Sequence, residues 1–548
     1  MKNLNDVIYA IMLIILCWGC SDSNNDDNNN DSGDKQAYAV FIQKNLSVSS
    51  AEGSASVVIE WAKTSWEITL GQGDVIKSVT PMTGGNKEGE KQYTKIQVLC
   101  HANTTMKKRT QTIHLMDKTN EQTADLLIEQ APAYKSVTLT VDPSVRYQPV
   151  VGFGGMYNPI IWCRDNLISA QQLDKMYGDG GLGYSILRLM IYPEESDWSA
   201  DVEAAKAAQA KGAIIFASPW DCTDALSDKV TVNGKEMKHL KKENYQAYAD
   251  HLVRYINFMK ESGVNLHAIS VQNEPDMEFT YWTPQEVVDF VKQYGPQIRA
   301  TGVKLMSPEA CGTQPEYTDP ILNDAAAFAQ TDIVAGHIYQ GFIDLNNGYA
   351  KNRHDYICGL YSRIQGKTWW MTEHLFNDGE KSEDPSQWEF QKWQYCLSHL
   401  GKEIHMCMEG YCSAYVYWYL KRFYGLMGDA DKRSPVSEGE IAKNGYIMAH
   451  YAQYATGTTR IKAVTDNKDI DATAYIHEAD NTVTIVLLNL TGATQWVEIP
   501  LAGVKRAEAV QTNENKNMEA VDINLLESGT GAGILLPGNS ITSVRLIL

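Results

Sequence analysis

Eight short apolar runs recur between residues 151 and 418, and the spacing between them leaves room for helices. Runs that are apolar throughout are typical of strands buried on both faces. Amphipathic stretches such as 245–262 and 284–300 lie between several of them. This alternation predicts a (β/α)8 TIM barrel over residues 151–455, with a doubly wound parallel sheet as the alternative. The runs are 151–156, 184–191, 213–218, 268–272, 303–307, 333–337, 368–372 and 414–418.

Two β-rich regions flank the predicted barrel. Residues 37–133 contain six alternating or β-branched runs separated by turn residues, a pattern that predicts an immunoglobulin-like β-sandwich. It resembles the small module that precedes many glycanases of Bacteroidetes, and either a spacer or a carbohydrate-binding role fits it. Residues 134–150 and 456–548 again predict strands. We therefore expect a side β-sandwich that takes strands from both ends of the barrel.

The amino terminus indicates export. An apolar run at 7–16 follows Lys2 and is too short to span a bilayer, but it suits the central region of a signal peptide. The segment around Cys20, with the Asp/Asn-rich tract after it, resembles the signal of a bacterial surface lipoprotein. That resemblance implies a signal peptide over 1–20, lipidation of Cys20, a flexible acidic linker over 21–36 and attachment at the outer membrane. Free secretion, or a redox or metal pair of Cys17 and Cys20, are the alternatives.

Composition narrows the classes of function. The net charge of −19 argues against a nucleic-acid partner, because no basic cluster is present to neutralise phosphates. Thirteen Trp and 29 Tyr suit sugar rings, although such residues also fill cores. Eight cysteines from Cys100 to Cys412 are scattered singly, without zinc-site spacing. We expect mostly buried thiols, no metal, no cofactor and a monomer.

Two glutamates fall at predicted strand ends, where barrel enzymes place their chemistry. Glu274 ends the fourth run in the sequence Gln-Asn-Glu-Pro, and Glu373 ends the seventh in Thr-Glu-His. A retaining glycosidase needs two carboxyls about 5–5.5 Å apart, one protonated and one ionised. We predict that Glu274 is the acid/base and Glu373 the nucleophile. For Glu274 taken alone, a capping or solvent-exposed glutamate is the alternative.

Other polar residues lie near the same edge. Asn273 is placed to bind a sugar 2-hydroxyl, while Arg188 and Tyr339 are available to orient Glu373 and keep it ionised. Glu309 and His337 end neighbouring runs, and we expect both to support the site. Asp276 follows the predicted acid and is interpreted as a turn or loop residue.

Six sequence motifs stand out in and around the predicted barrel strands: VGFGGM (151–156), ILRLM (186–190), ASPW (217–220), YQAYAD (245–250), AISVQNEP (268–275) and WMTEH (370–374). Together they resemble glycoside hydrolase family 30. The resemblance covers roughly residues 137–548 and implies a barrel with a side sandwich, Glu274 as acid/base and Glu373 as nucleophile. The sequence departs from the family at 221–223, where prolines are usual, and the loop 375–387 does not correspond to the family's pattern.

The predicted eighth strand and its loop, AYVYWYLKRFYG at 414–425, resemble the glucuronoxylanases of that family, subfamily 8. The resemblance implies that Arg422 and Tyr424 hold the glucuronic acid branch of xylan. A guanidinium suits this role because it binds a carboxylate through two charge-assisted hydrogen bonds. Trp220 and Trp418 would shape the floor of the subsite. The alternatives are an ion pair of Arg422 with an acidic neighbour and core packing of the two tryptophans.

Three hypotheses of function remain at this point. The first is an endo-acting glucuronoxylanase at the cell surface, whose substrate is glucuronoxylan. The second is another activity of the same family, namely a β-1,6-glucanase, a β-xylosidase or an exo-acting xylobiohydrolase. The third is a non-catalytic, glycan-binding surface lipoprotein, against which the presence of both glutamates argues.

Overall fold

The computed structural model describes residues 36–88, 90–162, 167–178 and 180–548. The chain divides into two compact units, Met1–Ala133 and Tyr134–Leu548. The predicted signal peptide, the lipidation site Cys20 and most of the predicted linker lie outside the described residues. Among the helices of the described part, none has the length and apolar character needed to cross a membrane.

Where the structure describes the first unit, it contains strands and no helix, as predicted. Two sheets, with strand orders β1-β3-β7-β5 and β2-β9-β8-β4-β6, share one core that includes Ile59, Trp66 and Ile113. The alternation of buried and exposed residues in β7 to β9 explains this layering, since each strand turns one face inward. The immunoglobulin-like assignment stays a prediction. The strands are β1 (Tyr38–Phe41), β2 (Asn45–Val48), β3 (Gly53–Ala62), β4 (Thr64–Leu70), β5 (Ile76–Thr80), β6 (Thr83–Asn86), β7 (Gln92–Cys100), β8 (Arg109–Asp117) and β9 (Thr123–Gln130).

The second unit contains both strands and helices. Its strands are β10 (Lys135–Pro149), β11 (Gly152–Met156), β12 (Ile186–Ile191), β13 (Ile214–Pro219), β14 (Ser227–Val232), β15 (Lys235–Leu240), β16 (Leu266–Ser270), β17 (Lys304–Ala310), β18 (Ile333–Gly336), β19 (Thr368–Met371), β20 (Cys412–Tyr419), β21 (Thr459–Thr465), β22 (Ile470–His477), β23 (Thr482–Asn489), β24 (Gln495–Pro500), β25 (Arg506–Thr512), β26 (Glu519–Ala520), β27 (Ile523–Leu525), β28 (Gly531–Leu536) and β29 (Ser540–Ile547). Its helices are α1 (Ala170–Met176), α2 (Val202–Ala210), α3 (Tyr245–Glu261), α4 (Pro284–Arg299), α5 (Pro315–Asn323), α6 (Ala325–Gln330), α7 (Gly348–Arg363), α8 (Trp393–Cys396), α9 (Lys402–Glu409) and α10 (Lys443–Ala455).

Eight parallel strands close into a barrel in the order β11-β12-β13-β16-β17-β18-β19-β20. Side chains such as Phe216 and Trp370 fill its interior, which is therefore a packed core. Gly154 allows β11 to lie close to β12, since a Cβ atom there would stand 1.7 Å from the carbonyl oxygen of Ile186. Helix α4 begins where Thr283 and Glu286 form a capping box. The TIM-barrel prediction is confirmed.

A β-sandwich packs beside the barrel, and strand β10 joins its two layers. Lys135–Thr138 pairs in parallel with β24, and the remainder of β10 pairs antiparallel with β21. Ten strands thus follow the order β26-β25-β29-β23-β22-β21-β10-β24-β28-β27. Side chains from both layers, such as Val497 and Ile485, share one buried core. The sandwich takes strands from both ends of the barrel, as predicted.

Candidate active site

Glu274 and Glu373 follow the carboxyl ends of β16 and β19, at one end of the barrel. Glu274 has a φ of 46°, and its N–H donates to the carbonyl oxygen of Glu309 at 2.9 Å. This backbone conformation is uncommon outside glycine and is often found at functional sites. One carboxylate oxygen of Glu274 and one of Glu373 lie no more than 4.8 Å apart. The spacing suits two carboxyls that act on one glycosidic bond.

Arg188 is fully buried and contacts three groups of the site. Its guanidinium donates to the Glu373 carboxylate, to Asn273 Oδ1 at 2.5 Å and to Glu309 Oε1 at 3.1 Å. The face of the Trp220 ring lies 4.4 Å from the guanidinium carbon. Arg188 therefore orients Asn273 and Glu373 together, and it compensates two buried negative charges.

Glu373 lies among groups with opposing effects on its charge. Burial raises the pKa of Glu373, the positive charges of His337 and Arg188 lower it, and the nearby Glu274 carboxylate raises it, so that the pKa is above its ordinary value. Tyr339 donates a hydrogen bond to Glu373 Oε1 at 2.9 Å, opposite the oxygen that Arg188 contacts. Both oxygens are held in place, and the cations with the tyrosine favour the ionised form.

His337, which follows β18, stands between Glu274 and Glu309. Its Nδ1 atom lies 2.9 Å from Glu274 Oε1, and its Nε2 atom lies 3.9 Å from Glu309 Oε1. Burial lowers the pKa of His337, but the surrounding carboxylates, Glu373 foremost, bring it up to about 9. For Glu309 the signs are reversed: burial raises its pKa, and the charges of Arg188 and His337 bring the pKa down to about 2. His337 is therefore held as a cation and Glu309 as an anion.

Asp276, interpreted from the sequence as a turn or loop residue, forms a hydrogen bond with the loop that follows β17. Its Oδ1 atom accepts a hydrogen bond from the backbone N–H of Cys311 at 2.9 Å. Burial and the charge of Glu274 raise the pKa of Asp276 to about 6. Asp276 thus ties the loop that carries Glu274 to the loop that carries Cys311.

Two features bear on what the site binds. Asn273 Nδ2 is buried and has no hydrogen-bond partner among the described residues, so a ligand hydroxyl would satisfy it. Glu274, His337 and Glu373 also present three atoms within 4.8 Å of one another, a spacing that a metal ion can span. The guanidinium of Arg188 contacts Glu373 and disfavours a second cation there. The arrangement fits two working carboxyls better than a metal centre.

A cleft of about 360 Å³ opens above the two glutamates. It brings together the predicted residues Trp220, Tyr339, Trp418, Arg422 and Tyr424. Both tryptophans are nearly buried, so they pack in the core and also shape the cleft floor. Further lining residues were not predicted from the sequence: Trp162, Met277, Phe279, Cys311 and Tyr419.

Trp162 is the most exposed of the unpredicted aromatic residues in the cleft. Its side chain is 43% exposed, and its ring centroid lies 5.6 Å from Phe279 and 5.8 Å from Trp418. The carbonyl oxygen of Trp162 accepts a hydrogen bond from Arg422 Nη1 at 2.7 Å. Trp162 does not belong to any periodic apolar pattern. The sequence could therefore have indicated it only through its position shortly after the first barrel strand.

Arg422 and Tyr424 lie together at the cleft, in the loop after β20. The Arg422 guanidinium carbon stands 5.5 Å from the Tyr424 ring centroid. The carbonyl oxygen of Tyr424 accepts a hydrogen bond from the Tyr417 hydroxyl at 2.9 Å, which anchors the loop to the barrel wall. The structure therefore places a guanidinium and a phenol side by side at the opening.

Comparison with known proteins places this geometry in a family. The model of the glycosyl hydrolase family 30 TIM-barrel domain matches residues 170–358. Glucuronoxylanase XynC of Bacillus subtilis (strain 168) is 35% identical over 415 residues, which cover 74% of this chain and 90% of the relative. A family 30 endoxylanase of Clostridium papyrosolvens C71 superposes with a TM-score of 0.62 at 30% identity, over 76% of this chain and 100% of that one. The subfamily 8 xylanase Xyn30A of Clostridium acetobutylicum superposes with a TM-score of 0.60 at 28% identity, over 75% of this chain and 100% of that one. This chain belongs to glycosyl hydrolase family 30 and is a glycoside hydrolase.

Proposed function

We propose that this glycoside hydrolase is a retaining endo-β-1,4-glucuronoxylanase. The observation that carries the proposal is the pair of carboxylates, Glu274 and Glu373, within 4.8 Å of each other in a cleft that Arg422 and Tyr424 also line. The relative at 35% identity, a glucuronoxylanase, supports the same substrate class.

The proposed reaction has two steps. In the first, Glu373 attacks the anomeric carbon while Glu274 gives its proton to the glycosidic oxygen; the C–O bond breaks and a glycosyl–enzyme ester forms. In the second, Glu274 accepts a proton from a water molecule, the water oxygen attacks the anomeric carbon, and Glu373 leaves as a carboxylate. Two inversions at one carbon give net retention of configuration.

The surrounding residues support these steps through the contacts described above. Arg188 and Tyr339 hold the two oxygens of Glu373, so the attacking oxygen has one direction to point. Asn273 offers its unpartnered Nδ2 atom to the sugar 2-hydroxyl, whose hydrogen bond strengthens in the transition state. We assign substrate-positioning roles to Trp220 and Trp418, whose rings shape the floor.

Specificity for decorated xylan is assigned to Arg422 and Tyr424. A uronate carboxylate accepts two parallel hydrogen bonds from a guanidinium, a geometry that an undecorated xylose lacks. The chain would then be cleaved at a fixed distance from each glucuronosyl branch.

The experiment is a mass-spectrometric profile of the products from glucuronoxylan, made with protein lacking residues 1–34. We expect oligosaccharides that each carry one glucuronosyl branch at a fixed position from the reducing end. Arg422→Lys should broaden this distribution, whereas Arg146→Lys, an exposed arginine of the side sandwich, should leave it unchanged. Only short, undecorated products from the wild type would contradict the role of Arg422 and favour exo action.

The catalytic roles are tested with Glu274→Gln and Glu373→Gln. Each should lower kcat by about 10²-fold or more while the melting temperature stays near that of the wild type. Cleavage of β-1,6-glucan in place of xylan would favour the second family activity. Tight binding of xylan by a wild type without turnover would favour a binding protein.

We further propose that Cys20 carries a lipid anchor that holds the enzyme at the outer face of the outer membrane. The sequence around Cys20 and the acidic tract after it support this proposal. Labelling with radioactive palmitate should mark the wild type and not Cys20→Ala. Equal labelling of both would contradict it, and release of unlabelled protein to the medium would favour free secretion.

A further inference from the structure

A buried acid–histidine pair lies directly behind the proposed nucleophile. Glu403, on α9, is 1% exposed, and its Oε1 atom lies 2.8 Å from His374 Nδ1. The same oxygen accepts a hydrogen bond from the Tyr415 hydroxyl at 2.6 Å. His374 follows Glu373 in the chain and is itself buried. None of Glu403, His374 and Tyr415 has a role in the two proposed steps of cleavage.

The Glu403–His374 pair is connected to Glu373 through the ring of Tyr339. The His374 ring centroid lies 4.8 Å from that of Tyr339, with the two planes 64° apart. On another side, the His374 ring meets Phe376 at 4.8 Å and 81°. Tyr339 in turn donates the 2.9 Å hydrogen bond to Glu373 Oε1. A rotation of His374 would therefore remove the support on which the Tyr339 ring rests.

The backbone restricts His374 as well. Its carbonyl oxygen accepts a hydrogen bond from the N–H of Trp418 in β20 at 2.9 Å. With the main chain tied to β20 and the ring nitrogen tied to α9, the imidazole has one orientation. A carboxylate that bonds one ring nitrogen of a histidine commonly fixes both its tautomer and its orientation.

Burial of Glu403 is costly in itself. An ionised carboxylate loses several kcal/mol of hydration when it is buried, and an apolar residue of similar volume would often pack there with equal or better stability. Packing alone therefore does not account for a glutamate at this position. One of its two partners, His374, directly follows Glu373 in the chain and packs against Tyr339.

We propose that Glu403 and His374 are positioning residues that hold Tyr339 so that its hydroxyl stabilises the ionised form of Glu373. The proposal rests on the assignment of Glu373 as the nucleophile. It extends the functional network from the barrel end to helix α9, which contributes no residue to the lining of the cleft.

The other charged and titratable groups that act on Glu373 are the same residues in the wild type and in Glu403→Gln. They are Arg188 from β12, Glu274 after β16, and His337 and Tyr339 after β18, with Glu309 of β17 acting through Arg188. Because Glu403→Gln also removes a carboxylate near the site, a shift in the titration of the nucleophile reports on the pair only when that shift depends on Tyr339.

The test compares Glu403→Gln with Glu409→Gln. Glu409 lies on the same helix and pairs with His405 at 3.2 Å, away from Glu373, so it is a matched control. We expect Glu403→Gln to lower kcat roughly tenfold, as for other groups that orient a catalytic side chain, with KM within about twofold. The acid limb of the pH–kcat profile should move to higher pH, since a poorly held Tyr339 stabilises the carboxylate less. Glu409→Gln should show neither effect.

A double-mutant cycle separates positioning from general loss of structure. Tyr339→Phe alone should shift the acid limb in the same direction, and Glu403→Gln added to it should give no further shift. Additive shifts, or a fall in melting temperature with an unmoved acid limb, would overturn the proposal. If Glu403→Gln does not fold, His374→Asn is measured in its place, and an unmoved acid limb there has the same meaning.

Failure of the proposed function is distinguishable from failure of this inference. The cycle is run on glucuronoxylan or, if the wild type does not cleave it, on the β-glycan that it does cleave. Full activity of Glu373→Gln would overturn the nucleophile assignment and this inference with it. Inactivity of Glu373→Gln together with a normal profile for Glu403→Gln would overturn this inference alone.

Discussion

The neighbours of Glu274 and Glu373 differ in charge and in hydrogen bonding. Glu373 is held by Arg188 and Tyr339, and Glu274 is paired with His337. Two carboxyls of one chemical type thus receive different surroundings, which is how glycosidases separate an acid from a nucleophile. At the scale of single residues, the cations Arg188 and His337 alternate with the buried glutamates of the site.

Arg188 is the residue on which this alternation depends most. Arg188→Ala leaves Glu309 and Glu373 buried without their cation, and loss of one partner from a buried pair costs about 3–5 kcal/mol of stability. We expect a lower melting temperature and no measurable turnover. Arg188→Lys should recover part of the stability but little activity, because an ammonium cannot bridge Asn273, Glu309 and Glu373 in one plane. A wild-type melting temperature for Arg188→Ala, measured by differential scanning fluorimetry, would contradict this view.

His337 makes stability depend on pH in a defined direction. Its pKa rises from 6.5 to about 9 on folding, so its contribution is fully present below about pH 6.5 and is lost as the pH rises through about 9. We expect the difference in unfolding free energy between wild type and His337→Asn to shrink by up to about 3 kcal/mol over that window. Melting temperatures measured from pH 5 to 10 check this. A difference that grows with pH would contradict it.

Residues at strand ends were predictable from the apolar pattern, whereas residues in irregular loops were not, and the loop residues Arg422 and Tyr424 were reached only through the family resemblance. Glu274 and Glu373 each end an apolar run, and the structure brings them together. Trp162 and Cys311 also line the cleft, but their loops carry no periodic pattern that fixes where a side chain points. The roles assigned to the site residues stay predictions until the variants are measured.

At the scale of elements, β10 couples the barrel to the sandwich. It pairs with β24 in one layer and β21 in the other, and it runs directly into β11. A protein that begins at residue 150 loses both pairings and lacks Val137 and Leu139, so the side chains that pack against these two residues in the shared core become exposed. We expect it to be insoluble or to melt well below a protein that begins at residue 134. Equal melting temperatures, by the same thermal scan, would show that β10 is dispensable.

Long patterned elements followed from the sequence, while short and edge elements did not. The eight barrel strands and helices α3 and α4 lie where their apolar patterns predicted them. The β14–β15 hairpin was missed, because its strands are charged instead of apolar, as in the ion pair between Lys229 of β14 and Glu236 of β15. The small edge strands β1, β5 and β6 were missed for a related reason, since four or five residues show too little alternation.

At the scale of the whole molecule, the chain consists of two units with separate cores. The candidate site and the cleft lie wholly within the second unit. We expect residues 134–548 to fold alone and to hydrolyse soluble glucuronoxylan with kcat/KM within about twofold of the longer protein. A preserved rate on soluble xylan with a lower rate on insoluble xylan would favour a carbohydrate-binding role for the first unit. A large loss on soluble xylan, measured by reducing-sugar release, would contradict independence of the second unit.

The most direct test of the two-carboxylate mechanism is the configuration of the new reducing end. Glucuronoxylan is digested by the wild type, and the anomeric proton signals are followed by NMR from the first minutes, before mutarotation mixes the anomers. The account predicts that the β-anomer appears first and that α-anomer grows in later, because Glu373 forms a covalent intermediate and Glu274 activates the water. An α-anomer that appears first would show inversion and would contradict Glu373 as a nucleophile.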